Sequence, residues 1–470
     1  MTKQASETHQ LRGKTLRQGC PRSSHAEHQA AVKRDPIALI ERSSIGRVPA
    51  LLPMRYGRML QSPFTFLRGT AMLQAFDLDS TPSTGMTVQC CGDAHLMNFG
   101  AFATPERNLI FDINDFDETL PAPWEWDLKR LAVSAAVAAR HLGLGDRQAM
   151  DAALSCAASY QQHMQDYAAM SLIDVWYDKL TFDRLHTEFD APDLHRRLDK
   201  AQQRASGRTH ESLLDKLTTR VGGELRLRDA PPSLFHIHSP SSMLPNHDRW
   251  LETENWQALL ADMFKGYGAT LQDDRRRLLG HYRVLDAAFK MVGVGSIGTR
   301  CLVVLMMDDH GQPLFMQIKE ARPSVLAPHV DHPRIRHEGQ RVIQGQRLMQ
   351  AASDAFLGWC TGPFGRHFYV RQLRDMKASA QIETYDADML NAYLRGCAWA
   401  LARAHAKSSA LAPDIAAYLG SSITFAQAIG QYAMRYADQV EADYEAFRKA
   451  VARGRLPVDT LDDPLHEVQP

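Results

Sequence analysis

Residues 91–98 read Cys91-Gly92-Asp93-Ala94-His95-Leu96-Met97-Asn98, and the apolar run Thr87-Val88-Gln89-Cys90 leads into them. The residues before Gly92 predict a short strand, while Gly, Asp and Asn after it favour a turn. A turn alone would explain those residue types, so their meaning depends on the neighbouring segments. A second apolar run, Asn108-Leu109-Ile110-Phe111-Asp112-Ile113, predicts another strand that ends in Asn114-Asp115-Phe116-Asp117. From Trp126 to His141, Leu128, Leu131, Ala132, Ala135 and Ala138 fall on one side, which predicts a long amphipathic helix.

An acid and an amide on one loop, followed by an acidic strand end, suit phosphoryl transfer from a nucleotide. That reaction asks the protein for a carboxylate to orient or deprotonate an acceptor hydroxyl, and for hard oxygen ligands to Mg²⁺. Asp93 then takes the first role, Asn98 supplies an uncharged metal ligand, and Asp115 or Asp112 supplies the metal-binding carboxylate. His95 either shares in catalysis or braces the loop by hydrogen bonding. The segment resembles the catalytic loop of aminoglycoside phosphotransferases and choline kinases, members of the kinase-like superfamily. Their pattern is His-Gly-Asp-x-His-x-x-Asn, then a strand ending Ile-Asp-Phe or Ile-Asp-Trp, then Asp-Leu at a helix start. Here Cys91 replaces the first His, Asn114-Asp115-Phe116-Asp117 forms the strand end, and Trp126-Asp127-Leu128 opens the helix. The resemblance implies ATP and Mg²⁺ as cofactors and makes Asp127 an acid that braces the loop.

A second constellation lies near residue 293. Gly293-Val294-Gly295-Ser296-Ile297-Gly298 precedes the apolar run Cys301 to Met306, the turn Asp308-Asp309-His310-Gly311 and the run Leu314 to Lys319. Two apolar runs joined by a Gly-containing turn predict a β-hairpin. A dinucleotide-binding unit would open a helix after the glycines. The strand character of 301–306 instead favours a glycine loop that covers phosphates with backbone N–H groups. Lys319, at the end of the third strand, then pairs with nucleotide phosphates. Gly293, Gly295, Ser296, Gly298, Lys319 and Gln372 make up the expected nucleotide-binding set. Glu338 is the nearest acidic candidate for Lys319, since Glu320 would point to the opposite face.

In kinases the glycine loop and lysine precede the catalytic loop, whereas here they come after it. A circular permutation accounts for this. The predicted helix Asp388 to Ser408 contains Leu401-Ala402-Arg403-Ala404-His405, which resembles the phosphotransferase helix that leads into the catalytic loop. The expected fold is therefore α+β: a two-lobed, kinase-like fold, circularly permuted, with large helical additions. Its parts are a mobile polar tail (1–34), the catalytic-loop part of the larger lobe (35–180), a helical insertion or acceptor-binding cap (181–284), a β-sheet lobe with the glycine loop and lysine (285–380), and the helical remainder (381–470). The stretches Arg58 to Gly69, Cys91 to Asp117, Trp124 to Arg130, Gln340 to Trp359 and Tyr369 to Lys377 are also similar to the bacterial family called domain of unknown function 2252. That resemblance runs from about Asp35 to beyond residue 430 and implies no activity.

The chain has 470 residues, 44% hydrophobic and 23% charged, and its 54 basic residues balance 54 acidic ones. Such a globular, neutral composition gives no general reason to expect nucleic acid or an acidic membrane as partner. The seven cysteines are scattered with no C-x-x-C pair, which argues against a zinc site or a disulfide framework. With no apolar leader and no membrane-length apolar run, a soluble cytoplasmic protein is expected. The expected partners are a nucleotide and a small-molecule acceptor. Asp193 to Arg208 reads as a solvated helix, and Arg68 and Arg371 as cations for structural ion pairs or an anionic acceptor. Two rival readings remain open. One is a metal-dependent hydrolase that uses Asp93, His95, Asp112, Asp115 and Asp117 as ligands. The other is a nucleotide-binding regulatory protein with a degenerate kinase site.

Overall fold

The computed structural model describes residues 3–28, 34–188, 192–207, 210–237, 239–240, 242–244, 256–291, 293–373 and 377–459. Its strands are, in chain order, β1 (Thr87–Cys90), β2 (Phe99–Ala103), β3 (Leu109–Ile113), β4 (Leu120–Pro123), β5 (Thr218–Val221), β6 (Glu224–Leu227), β7 (Leu234–Phe235), β8 (Arg283–Lys290), β9 (Cys301–Met307), β10 (Pro313–Glu320), β11 (Gly358–Thr361), β12 (His367–Gln372) and β13 (Ala378–Ser379). Six of them form an antiparallel sheet in the order β11-β12-β10-β9-β8-β7. β1 pairs with β4, β2 lies between β3 and β13, and β5 and β6 form a hairpin. The fold is α+β.

The sheet explains why Cys301 to Met306 lacks polar alternation. Leu302, Val304 and Met306 join one apolar cluster with Met316, Ile318 and Val370. Val303 and Leu305 join another with Phe315, Leu213 and Leu217. A strand covered on both faces needs apolar side chains at every position. Side chains alternate along β10, so Gln317 and Lys319 follow Phe315 on the second face. Cross-strand neighbours there are Arg371 opposite Gln317 and Tyr369 opposite Lys319.

The largest apolar cluster is helical. Helices Trp124–His141, Asp146–Ala169, Ala387–Ser409 and Thr424–Ala452 pack together in it. The first of these is buried from Trp124 to Ala139, so its polar residues lie inside rather than on a solvent face as expected. Alanines at 132, 135, 136, 138 and 139 admit neighbours on every side. Ser62 caps the short helix Pro63–Arg68, with Pro63 at its first position. Its Oγ accepts the Thr65 N–H at 3.1 Å, and Thr65 Oγ1 accepts the Ser62 N–H at 3.0 Å.

Two expectations are corrected. The N-terminal segment is no mobile tail over its described residues: Lys3–Gly19 is a helix packed on the helix Ala412–Leu419. Arg12 reaches the buried Asp414 at 2.5 Å, and Arg17 donates to the Ala417 carbonyl at 2.7 Å. Residues 29–33 lie outside the described residues. The stretch 181–284 is not wholly helical, because β5, β6 and β7 lie within it and β7 extends the six-stranded sheet. In the charged helix Pro192–Ser206, the exposed Arg204 bonds Gln381 at 2.8 Å. All seven cysteines are buried free thiols. Among the described residues no helix is long and apolar enough to cross a membrane.

The helix Glu338–Met349 lies directly on β12. A Cβ at Gly339 would sit 2.2 Å from the Phe368 carbonyl oxygen, a backbone atom that cannot move aside alone. Gly339→Ala should therefore cost about 1–3 kcal/mol through overpacking. Urea unfolding checks this; an unchanged midpoint would mean that the helix has room to spare above the sheet.

Candidate functional site

Residues 91–98 form a loop held from several sides. Gly92 has φ +86°, and a Cβ there would lie 2.2 Å from the Glu118 carbonyl oxygen, so only glycine suits both the conformation and the space. The helix Trp124–His141 begins beside it. Asp127, in the first turn, accepts the N–H groups of Cys91 at 2.7 Å and Gly92 at 3.0 Å. His405 Nε2, at the far end of the chain, lies 3.3 Å from the same carboxylate. Asp127 thus braces the loop. The loop needs only a backbone N–H from position 91, which explains how cysteine serves there; burial pushes the Cys91 thiol well above its usual range, leaving it unreactive.

Asp93 is fixed by an arginine. Arg130 Nε donates to Asp93 Oδ1 at 2.8 Å, while its other nitrogens hold Gln74 Oε1 at 2.8 Å and the Leu67 carbonyl at 2.7 Å. Burial raises the Asp93 carboxyl, and Arg130 opposes that shift. His95 Nε2 lies 3.7 Å from Asp93 Oδ2. Burial and the charges of Arg130 and Arg68 push the His95 imidazole well below its usual range, so it is neutral. Asn98 Nδ2 donates to the Asp93 carbonyl at 2.8 Å, which leaves the side-chain carbonyl oxygen for another partner.

The acids after β3 have three different surroundings. Asp112 is fully buried; it meets Arg403 Nη2 at 3.0 Å and accepts the Ala351 N–H at 2.8 Å. Asp115 is partly exposed, and its carboxylate accepts the Asp117 N–H at 3.1 Å. Asp117 receives Lys319 Nζ at 2.5 Å and Tyr369 Oη at 2.7 Å, with Ser296 Oγ at 3.3 Å. Lys319 and Tyr369 together hold the Asp117 carboxyl below its usual range against the effect of burial. Burial works to lower the Lys319 ammonium, yet Asp117 and Tyr369 raise it above its ordinary value, so it is charged. Glu338, the expected partner of Lys319, bonds Arg341 at 2.6 Å instead. Glu320 lies on the other face of β10, where Arg300 and Arg366 pair with it.

A cavity of about 800 Å³ gathers these groups. Asp93, His95, Asn98, Asp115 and Lys319 line it, as do Gly293, Gly295 and Ser296 from the turn between β8 and β9. Three expected site residues stand elsewhere. Asp112 is committed to Arg403 inside the helical core, so it is no metal ligand. Gly298, with φ +85°, closes the turn against Arg47. Gln372 uses its N–H on Asp354 Oδ2 at 2.5 Å and is not on the cavity wall. Val292 lies outside the described residues.

One of the overlooked residues did carry a usable signal. Arg130 is three positions after Asp127, so one face of one helix holds the loop backbone and the loop acid. Tyr369 and Arg341 carried no such signal, and Asp117 was singled out only as a metal ligand in the hydrolase reading. Arg341 donates to the carbonyls of Thr119 at 2.7 Å and Asp117 at 2.8 Å, and so sets the path of the acidic segment. Glu118, also on the wall, gives a carboxylate oxygen to the Val325 N–H at 2.7 Å, and burial pushes its carboxyl up to about 7.

A family model described as "Uncharacterized protein conserved in bacteria (DUF2252)" matches residues 47–450. No curated protein and no solved structure matches the chain.

The separate fates of Asp112 and Asp115 are measurable. Asp112→Ala strands a buried guanidinium and should cost about 3–5 kcal/mol. Asp115→Ala should stay within about 1 kcal/mol of wild type. Equal losses in urea unfolding would refute the assignment. Glu118 predicts a pH effect. Its carboxyl is raised from 4.5 to about 7, so the folded chain holds a proton that the unfolded chain has lost. The stability of wild type relative to Glu118→Gln should fall as pH rises through that window and be flat on either side. A flat difference throughout would show that the carboxyl is not raised.

Proposed function

The chain belongs to the bacterial DUF2252 family, and we propose that it is a circularly permuted, two-lobed kinase-like phosphotransferase that uses ATP and Mg²⁺ on a small-molecule acceptor. The observation that carries this reading is the meeting of Lys319 with the acidic segment at Asp117, 202 residues earlier, in a cavity shared with Asp93 and Asn98. Strand order supports the fold. β8, β9 and β10 are consecutive antiparallel neighbours, with the glycine turn before β9 and the lysine on β10. The helix Glu338–Met349 comes next, and β12 then pairs beside β10 with β11 outside it. The end of the helix Ala387–Ser409 meets the 91–98 loop through His405 and Asp127, as a permuted connection requires.

Each wall residue has a role in this reading. Gly293, Gly295 and Ser296 lie over the nucleotide phosphates, and Lys319 supplies the charge that pairs with them. Asn98 and Asp115 present a neutral and an anionic hard oxygen, the donor types that Mg²⁺ takes. Bound Mg²⁺ supplies charge neutralisation on the phosphates. Arg130 occupies Asp93 Oδ1 and fixes the carboxylate, which leaves Oδ2 to take the acceptor hydroxyl's proton. Neutral His95, beside Oδ2, adds no competing charge. Lys377, Ser379, Ala380 and Gln381, after β12, border the cavity and form the nucleotide's outer wall in this reading.

The Asp93–Arg130 pair also favours a second reading, in which the site binds nucleotide without turnover, because a carboxylate held by a guanidinium is a weaker base. The hydrolase reading loses two ligands, Asp112 to Arg403 and Asp117 to Lys319.

Calorimetry and nucleotide turnover with Mg²⁺ separate these readings. Wild type should bind Mg·ATP, and Lys319→Met should weaken binding at least about tenfold, the loss of one charge-assisted contact. Asp93→Asn should keep binding and lose about 10²–10⁴-fold in turnover. Absence of nucleotide binding by wild type would sink the proposal. Turnover unchanged in Asp93→Asn would leave a binding protein.

A further inference from the structure

Three arginines on the cavity wall have no role in nucleotide or Mg²⁺ binding. Arg47 and Arg55 come from the segment just before the helix Pro63–Arg68, and Arg322 lies just after β10. They converge on one residue, Ser43, which is also on the wall. Arg47 Nε donates to the Ser43 carbonyl at 3.0 Å and Arg322 Nη1 to the same oxygen at 3.4 Å. Arg55 Nη2 donates to Ser43 Oγ at 3.0 Å. Their remaining bonds go to the carbonyls of Ile297, Gly69 and Ile45 and to Ser44 Oγ. None of the three donates to a carboxylate among the described residues.

Such an arrangement is costly as it stands. Arg55 is 1% exposed, and the three guanidiniums repel one another. Burial pushes Arg47 well below its usual range, with Arg55 and Arg322 adding to the shift; Arg55 is pushed down to about 10 by burial, with Arg322 adding to it. Buried cations ordinarily sit beside a paired anion. The neighbouring acids that Arg47 feels, Glu118 and Asp117, have other bonds: Glu118 to the Val325 N–H and Asp117 to Lys319. Close to this cluster, Arg68 also faces the cavity. Its Nε is buried with no hydrogen-bond partner, and its charge acts on His95 beside Asp93.

We propose that Arg47, Arg55 and Arg322 form an anion subsite for a phosphate group carried by the acceptor, on the wall of the cavity that also holds Arg68 and Asp93. The role of acceptor site rests on the phosphotransferase reading; the anion subsite itself does not. Phosphate is the chemistry that suits three guanidiniums, since it offers several oxygens and close to two negative charges at neutral pH. The subsite is separate from Lys319. Arg47 meets the glycine turn at its far end, at the Ile297 carbonyl, and a Cβ at Gly298 would lie 3.1 Å from the Arg47 Cβ. The nucleotide's phosphates belong with Ser296 and Lys319, which both reach Asp117.

The test uses the full chain, inorganic phosphate as the anion and a non-hydrolysable Mg·ATP analogue, each titrated by calorimetry alone and with the other saturating. Phosphate should bind wild type and still bind when the analogue is present. Arg322→Gln should weaken phosphate at least tenfold and change analogue affinity less than twofold. Arg322→Lys, which keeps the charge, should give an intermediate phosphate affinity and carries the test if the glutamine variant fails to fold. Lys319→Met should show the reverse pattern. Analogue binding by wild type without phosphate binding that depends on Arg322 overturns the subsite and leaves the phosphotransferase reading standing. Mutual exclusion of phosphate and analogue overturns it too, since the arginines would then be holding the nucleotide. Arg322-dependent phosphate binding with no analogue binding overturns the acceptor role together with the phosphotransferase reading.

Discussion

The ion pair between Lys319 and Asp117 sets the geometry of the whole site. A lysine side chain only 4% exposed at a strand end must have a fixed anion beside it or lose its proton. Asp117 is that anion, and its other oxygen is taken by Tyr369 from the neighbouring strand. Ser296 from the glycine turn reaches the same carboxylate. One carboxylate therefore joins β10, β12, the turn before β9 and the segment after β3. The walls of the cavity are held at the spacing this junction allows. A ligand with its own negative charge can take over the ammonium without leaving a buried charge alone, so the pair is suited to exchange rather than to permanence.

The aspartates at 112, 115 and 117 show how position decides the use of one chemical group. Asp112 belongs to β3 itself, and the strand directs it into the helical core, where Arg403 pairs with it. Asp115 and Asp117 come after the strand has ended. Asp115 accepts the N–H of Asp117, a local turn that aims the second acid at Lys319 and leaves the first on the open wall. Arg341 then fixes the carbonyls of the same turn. Only Asp115 keeps a carboxylate with no cation bonded to it, which is the condition for binding a metal.

Much of this was legible from periodicity and turn chemistry. The strand before Gly92, the strand ending at Ile113, the helix from Trp124 and the hairpin that carries Lys319 all come from apolar runs bounded by glycine and aspartate. The bracing role of Asp127 was legible only through the resemblance of Trp126-Asp127-Leu128 to the phosphotransferase helix start, since its position alone would also suit a plain helix-start residue. What remained hidden were partners, because a pattern within one element does not say what another element brings to it. Nothing local to Asp112 names Arg403, and nothing local to Lys319 names Asp117 over Glu338. The N-terminal helix was hidden for a related reason. Its composition is that of a solvated tail, and it is anchored by Arg17 bonding main-chain carbonyls of the helix Ala412–Leu419 and by Arg12 bonding Asp414. Strands β5 to β7 are short, and two of them are largely exposed, so their periodic signal is weak.

The hydrogen bonds around Asp127 join parts of the chain that are far apart in sequence. The proposed kinase-like reading asks only that the end of one helix lie beside the 91–98 loop, with no peptide link between them. Here the helix Ala387–Ser409 delivers His405 to Asp127, and Asp127 delivers its oxygens to the backbone of Cys91 and Gly92. Tyr160 holds the other imidazole nitrogen at 2.8 Å, so the bridging histidine cannot turn away. Asp127, His405 and Cys90 lie close enough to suggest a metal site. The two N–H groups already on the Asp127 carboxylate and the phenol on His405 make it a structural clasp instead. By burial and directed hydrogen bonds this clasp ties the helix Ala387–Ser409 to the 91–98 loop, although His405 and Asp127 stand 278 residues apart in the chain.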